Sequence, residues 1–302
     1  MRVLVTGASG FIGGVACATL AHRGHEVLAL VRRPGSEPGG TTAVVADLTD
    51  APALRDAIAA AAPDAVLHCA AETGAQRDGA KLRAANVDGL RNLIDACAAP
   101  ASPPKIVFTS TVVTGDGGGR LMTEDSELVV ETDYGRSKQE GERMLLASGL
   151  PVVIIRPCHV YGPGGWLAAE MLPLLRRPGR FAVIGSGENL WDVVHVEDVA
   201  TACALATESA RNGAIFHCAD DVPTTYREFM TRVAAAAGTG PPRSLPIWLA
   251  RIVAGSGPVT TVVRSGRTSN ARLKTELGWQ PRYPDSRDGI PVAVAALTAA
   301  AA

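Results

Sequence analysis

The stretch RVLVTGASGFIG, residues 2–13, decides how the rest of the chain is read. Its first half is apolar, rich in β-branched residues and stops at glycine, the pattern of a buried strand. Its second half opens FIGGVACATLAHRG, where apolar residues recur at helical spacing and Gly24 offers a C-cap. Between them lie Gly7, Gly10 and Gly13. A tight strand-to-helix turn needs a residue without a Cβ, a second glycine lets the backbone approach a pyrophosphate, and a third lets the helix pack close to the sheet. The start of that helix offers unpaired N–H groups and a positive dipole end to an anion. Placed directly between a strand and a helix, the triplet points to a dinucleotide phosphate site.

Working outward, HEVLALVRR, TAVVADL, DAVLHCAA, KIVFTST and PVVIIRP have strand character, and APALRDAIAAA, AKLRAANVDGLRNLIDACAA and YGRSKQEGERMLLAS have helical character. Strand and helix alternate to about residue 157, which predicts an α/β fold with a doubly wound parallel sheet. Strands such as VVIIR are apolar throughout because both faces of such a sheet are covered. Beyond Pro157 the pattern loosens. CHVYGPGGW and GSGEN are turn-rich, WDVVHVEDVATACALATES contains a short strand and a helix, and AIFHCAD is a further strand. TYREFMTRVAAAAG, PIWLARIVAG and NARLKTELGW are helical, and the Ala-rich tail is helical or frayed. The expected division is a dinucleotide-binding domain from 1–160 and 191–222, with a smaller, mostly helical substrate-binding lobe from 161–190 and 223–302.

The 302-residue chain carries a net charge of −1, which argues against nucleic-acid or anionic-membrane partners and for a small-molecule substrate. No apolar run is long enough to span a bilayer, and glycines follow the first strand too closely to leave room for a signal peptide; a cytoplasmic protein is expected. Six scattered cysteines form no CxxC pair, which fits reduced, buried thiols, and the dispersed histidines form no metal-binding motif.

The end of the second strand bears on cofactor choice. An acid there would bind a ribose diol, whereas arginine would pair with a 2′-phosphate. Here LALVRRPG places Val31 at the expected acid, followed by Arg32 and Arg33. The expected cofactor is NADP(H), with NAD(H) as the alternative. Asp47, after the third strand, is placed either to meet the adenine amino group or to cap its own turn.

In DYGRSKQEGE, residues 133–142, Tyr134 and Lys138 stand four apart and share a helix face near the end of the FTST strand. At this point the chain resembles the extended short-chain dehydrogenase/reductases, the NAD(P)-dependent epimerase/dehydratase family. The resemblance rests on TGASGFIG, HCAA (68–71), NVDGLRNL (86–93), FTST (108–111), YGRSK (134–138), RPCHVYGPG (156–164), VVHVEDVA (193–200) and ELGWQPRY (276–283), and covers nearly the whole chain. It implies a Rossmann-type fold in which Tyr134 is the general acid or base and Lys138 holds the nicotinamide ribose. The ammonium and the oxidised nicotinamide would lower the phenol pKa from about 10. A third hydroxyl binds the substrate oxygen: counting from Phe108 gives Thr111, the preferred choice, and counting back from Gly115 gives Ser110. The resemblance extends the cofactor site to Ser9, Phe11, Ile12, Leu48, Ala70, Ala71, Thr109, Pro157, His159 and Val160. It implies Asn86 as a residue securing backbone, and a homodimer through two large-domain helices, with a monomer as the alternative.

Nucleotide-sugar enzymes of this family carry an arginine just before the segment DVVHV; here that position is Trp191, which cannot clamp a diphosphate. Trp166, Leu167, Met171, Leu172 and LPIWLARIVAG add apolar material, for a substrate pocket or for plain core packing. The stretches VRRP and LPIWLARIVAG also resemble the hydroxysteroid dehydrogenase and dihydroflavonol reductase branch. The expected reaction is NADP(H)-dependent reduction of a ketone or aldehyde of a hydrophobic molecule, or the reverse oxidation. The alternatives are a nucleotide-sugar epimerase or dehydratase with tightly bound NAD(P), using Arg176, Arg177, Arg264 or Arg267 for phosphate, and a non-catalytic NADP-binding regulator. Val112 and Val113, where a dehydratase would carry an acid, argue against dehydration.

Overall fold

The computed structural model describes residues 1–74, 76, 78–175 and 181–299. Seven parallel strands form the main sheet: β1 (Arg2–Thr6), β2 (Glu26–Val31), β3 (Thr42–Val45), β4 (Ala65–His68), β5 (Lys105–Thr109), β6 (Val152–Pro157) and β7 (Ala214–Cys218). Their order is β7-β6-β5-β4-β1-β2-β3. Direction of winding therefore reverses between β1 and β4, which opens a crevice at the carboxyl edge of a Rossmann-type sheet.

Side-chain alternation sends successive strand residues to opposite faces. Val3, Val5, Val27, Ala29, Val107, Val153 and Ile155 meet Ala16, Cys17 and Leu20 of helix α1 (Phe11–His22) and Val199, Ala202 and Cys203 of a later helix, Val196–Glu208. Leu4, Leu28, Ile106, Phe108, Val152 and Ile154 meet Leu54 and Ile58 of α2 (Ala51–Ala61), together with helices drawn from residues 79–98 and 133–147. Burial on both faces explains the uniformly apolar strands.

A third cluster lies in the later chain. Tyr161, Trp191, Val193, Tyr226, Phe229, Met230 and Ile290 pack together, with Trp166 against them. Leu273 and Trp279, in the stretch expected to form the lobe, pack instead with the α1 face of the sheet. Short strand pairs, Ala182–Ile184 with Arg243–Leu245 and His159–Tyr161 with Val193–His195, stitch the later segments together. The Ala-rich tail is helical over Ser286–Ala299. Among the described residues, no helix is long and apolar enough to cross a membrane.

The turn after β1 is the tightest point of the fold. Gly7 has φ +65°, and a Cβ there would lie 2.7 Å from the Ala70 amide. A Cβ on Gly13 would lie 2.1 Å from the Gly7 carbonyl oxygen, so the helix touches the turn backbone directly. Gly13→Ala is expected to destabilise the chain by about 1–3 kcal/mol, the usual range for overpacking, measured by urea unfolding; a wild-type midpoint would contradict this packing.

Candidate active site

The residues singled out in the sequence gather along one edge of the sheet because the parallel register lines up the strand ends: Thr6 with His68, His68 with Phe108, and Thr109 with Ile155. Thr6 Oγ1 lies 2.8 Å from His68 Nδ1 and accepts from the Ala70 amide at 3.2 Å. Gly10 is the N-cap of α1 and makes no side-chain cap bond, and no acid occupies the first turn. The N-terminal amides that follow, in Phe11, Ile12 and Gly13, have no intrahelical acceptors. The Phe11 ring closes over the turn at Gly164 and Gly165, where a Cβ on Gly165 would fall 2.7 Å from it.

Arg32 and Arg33 follow β2, are exposed, and form no ion pair among those of the described residues. Asp47 Oδ1 accepts from the Thr49 amide at 2.8 Å and from its hydroxyl at 2.7 Å; these bonds, with Arg32 nearby, hold its pKa below the usual carboxylate value. Through this oxygen the carboxylate caps its own turn. The Leu48 carbonyl accepts from Asn92 at 2.9 Å, tying this turn to the helix α4 described next. These groups fit a dinucleotide: a glycine cradle and uncapped amides, with the exposed guanidinium groups of Arg32 and Arg33 after β2.

The segment from 79 to 98 is helix α3 (Gly79–Arg83), a π-turn (Ala84–Asp88) and α4 (Gly89–Ala98). The π-turn contains Asn86, whose Oδ1 accepts from Glu72 N at 2.8 Å while Nδ2 donates to Glu72 O at 2.9 Å and Ser137 Oγ at 3.0 Å. The widened turn thus joins the loop after β4 to α5 (Asp133–Ala147). Thr132 caps α5, accepting from Gly135 N. Two turns later the buried Glu142 takes both bonds of the Arg156 guanidinium, at 2.9 and 2.6 Å, which fastens α5 to β6. No local signal in the sequence pairs these two.

Tyr134 is half-buried and lines an open cleft of about 690 Å3. Gly74, Leu82, Val113 and Glu131–Asp133 share its wall, and Ala254–Pro258, Thr260 and Thr261 form the other. That second wall belongs largely to a helix, Ser256–Val263, which the sequence did not announce. Lys138 lies deeper, only 3% exposed, with Nζ 4.1 Å from the Phe108 ring centroid. Burial pushes the Lys138 pKa down to about 8, against the pull of Cys69 and Glu142. Burial also pushes Tyr134 up to about 12. In the chain alone, desolvation disfavours the phenolate; the lowering implied by the resemblance belongs to a site that also holds the oxidised nicotinamide. His68, stacked on Phe108, is driven down to about 3 by burial and by Lys138, so it stays neutral.

The two candidate hydroxyls differ. Thr111 Oγ1 donates to Pro157 O at 3.3 Å and accepts from Val113 N at 2.9 Å. Ser110 Oγ is buried without a protein partner. Thr109 Oγ1 lies 3.4 Å from Cys69 Sγ. His159 stacks on Trp191 with centroids 4.3 Å apart, its Nδ1 is 3.1 Å from Asp192 O, and its Nε2 has no protein partner. The neighbouring Val160 carbonyl accepts from Trp166 at 2.8 Å. Trp191 itself is buried against Trp166, Tyr226 and Phe229, so of the two roles open to it, it takes core packing.

Of the arginines considered for phosphate, Arg264 is buried and paired with Asp192, so it is not available. Arg267 is exposed beside a separate cavity of about 180 Å3 lined by Asp220–Thr224. Arg176 and Arg177 lie outside the described residues. Arg136, the one cation among the described residues that line the Tyr134 cleft, is held by Asp133 at 2.6 Å.

Comparison with known proteins matches residues 3–219 to the model of the NAD dependent epimerase/dehydratase family. A Streptomyces protein named 3-diazoavenalumate denitrifying reductase is 32% identical over 302 residues, covering 96% of this chain and 99% of its own. The 2-alkyl-3-oxoalkanoate reductase of Stenotrophomonas maltophilia is 32% identical over 79% of this chain and 76% of its own. Among solved structures, the UDP-glucose 4-epimerase of Thermus thermophilus in complex with NAD superposes with a TM-score of 0.83 at 28% identity, covering 99% of this chain and 100% of that one.

The depressed Lys138 pKa has a consequence for stability. The folded chain releases this proton at about 8, the unfolded chain near 10.5. Between those values the unfolded state holds more protons, so this group makes stability rise with pH across that window. Below it the native state carries the whole penalty. Without cofactor, Lys138→Met is therefore expected to exceed wild type at pH 7 by up to about 3 kcal/mol, and the gap should close towards pH 10.5. Urea unfolding of both proteins across that range checks it; a gap independent of pH would contradict the assignment.

Proposed function

Starting from a chain that belongs to the NAD-dependent epimerase/dehydratase family and is an NAD(P)-dependent oxidoreductase of the extended short-chain type, we propose an NADP(H)-dependent reductase of a ketone or aldehyde on a hydrophobic small molecule. The observation that carries this reading is Tyr134, which lines a cleft beside the carboxyl edge of the sheet whose walls include Leu82, Val113, Ala254 and Pro258. Residues 1–160 and 191–222 would hold the dinucleotide, and residues 161–190 and 223–302 would contribute the other wall of the substrate cleft. When bound, the reduced nicotinamide supplies the hydride.

The roles follow from the chemistry of the chain. Tyr134, with its pKa raised to about 12, stays protonated at neutral pH and is ready to donate to a carbonyl oxygen as negative charge develops there. The buried ammonium of Lys138 favours that transfer by opposing the negative charge left on the phenol. Thr111 or Ser110 orients the substrate oxygen. Gly7, Ser9, Gly10, Phe11, Ile12 and Gly13 would cradle the pyrophosphate, and Arg32 with Arg33 would pair with a 2′-phosphate. Asp47, Leu48, Ala70, Ala71, Thr109, Pro157, His159 and Val160 would line the remainder of the cofactor site. The nucleotide-sugar alternative is disfavoured by a cleft whose described lining holds two carboxylates and one cation already paired, and by Trp191 in place of an arginine.

The relative that matches 96% of this chain favours a second reading, in which the electrophile is a diazo carbon. With the diazo group reacting as an aryl diazonium cation, hydride would replace dinitrogen, leaving a neutral arene C–H bond, NADP+ and free N2. That step needs no proton from the phenol, so the two readings differ in their dependence on Tyr134.

Oxidation of NADPH, followed by absorbance with a panel of hydrophobic ketones, a diazo-arene, UDP-sugars and dTDP-sugars, tests the assignment. Tyr134→Phe is expected to lower ketone turnover by about 10^2–10^4-fold while leaving NADPH affinity within about twofold. Unchanged ketone turnover would remove the mechanism, and turnover of a nucleotide-sugar instead would remove the substrate class. Replacing both Arg32 and Arg33 by Ala should weaken NADPH binding by roughly 10–100-fold, as expected for losing charge-assisted bonds, with NADH binding unaffected. A wild-type protein that binds NADH more tightly than NADPH would overturn the cofactor preference.

A further inference from the structure

Arg264 is 1% exposed and lies in none of the motifs that define the family resemblance. Its guanidinium joins segments far apart in sequence. Nε donates to Gly115 O at 3.0 Å and Nη1 to Asp192 Oδ1 at 2.9 Å. The other Asp192 carboxylate oxygen accepts from Thr268 Oγ1, and the Asp192 carbonyl accepts from His159 N at 3.2 Å and lies 3.1 Å from His159 Nδ1. The Arg264 carbonyl in turn accepts from Asn189 Nδ2 at 2.7 Å.

The tie to Gly115 leads to one wall of the cleft, and the place of Arg264 in the chain leads to the other. Gly115 lies in the loop that begins with Ser110 and Thr111. The adjacent Thr114 donates through Oγ1 to Val129 O at 2.6 Å, and its carbonyl accepts from Glu131 N at 2.8 Å, three residues before Tyr134. A Cβ on Gly115 would lie 2.6 Å from Val129 O, so this loop has little room to shift. On the other side, Arg264 is the C-cap of Ser256–Val263, the helix that forms the facing wall. The flanking backbone repeats the connection: Ser265 N donates to Asp116 Oδ1 at 3.0 Å, and Gly119 N to Ser265 O at 3.1 Å.

We propose that Arg264 is a positioning residue of the reductase: one buried guanidinium, shared between the Gly115 carbonyl and Asp192, holds the two walls of the cleft at the separation the reaction needs. It touches neither the reacting atoms nor the solvent, and acts through the loop at 110–115 and through the helix it caps. The fork geometry of arginine is essential, because two acceptors on different segments must be reached at fixed angles. A lysine ammonium can remain paired with Asp192, but it lacks the fork that reaches Gly115 O as well. This proposal rests on the reductase reading, and its test separates the two.

Arg264→Lys keeps the buried charge that balances Asp192 and is the variant to use. Compared with wild type on the same ketone, kcat is expected to fall about tenfold and KM to rise severalfold, with the NADPH dissociation constant within twofold. Amide hydrogen exchange should accelerate together in 111–116 and in Ser256–Val263, at least tenfold, whether or not a ketone is turned over. Wild-type exchange in both segments of the variant would overturn the proposal; so would accelerated exchange across the whole chain, which marks a merely structural role. Failure of wild type to consume NADPH would count against the reductase reading alone, because the exchange result stands without turnover. Should Arg264→Lys fail to fold, Asp192→Asn, nearly isosteric, takes its place in the exchange measurement. Acceleration confined to the same two segments then supports the proposal, and wild-type or chain-wide exchange overturns it.

Discussion

The site depends on one unfavourable element, an ammonium taken out of water. Lys138 sits 3% exposed on the face of Phe108, and its pKa is pushed down to about 8. A buried charge persists only where the surroundings hold it firmly. The features around it do this. Glu142 and Arg156 fasten its helix to β6, Asn86 fastens the same helix to the loop after β4, and His68 is kept neutral so that it adds no second positive charge. The helix that carries the phenol and the lysine is thus tied at two points to the sheet and its loops.

This arrangement also gives the pair its direction. Burial raises Tyr134 to about 12 and lowers Lys138 to about 8, so their proton affinities move apart and the phenol becomes the tighter proton holder. At neutral pH the phenol holds its proton, the state a carbonyl reduction consumes. The lowered value implied by the resemblance belongs to the loaded site, where the oxidised nicotinamide would add its positive charge.

The glycine turn and the cleft are two solutions to close approach. At the turn, backbone meets backbone, and Gly7 and Gly13 leave no space for a side chain. At the cleft, the opposing wall is assembled from late sequence and tied back through Arg264 and Asp192. Trp166 and Trp191 pack with Tyr226 and Phe229 in an aromatic cluster of the later segments. The cleft surface is left to small residues such as Ala254, Gly255, Ser256 and Gly257.

By itself the sequence determined the alternating strands and helices, the glycine turn, the pairing of Tyr134 with Lys138 on one helix face and the free arginines after β2. These are local or periodic signals, carried within a few residues and so legible without a fold. Only the tertiary structure decided which side chains are consumed in packing and which remain for chemistry. The burial of Arg264, the ion pair of Glu142 with Arg156, the engaged hydroxyl of Thr111 beside the unpartnered one of Ser110, and the helix Ser256–Val263 facing Tyr134 all join residues distant in the chain. Their partners are chosen by how the sheet edge and the later segments close on one another, and no spacing in one dimension records that choice.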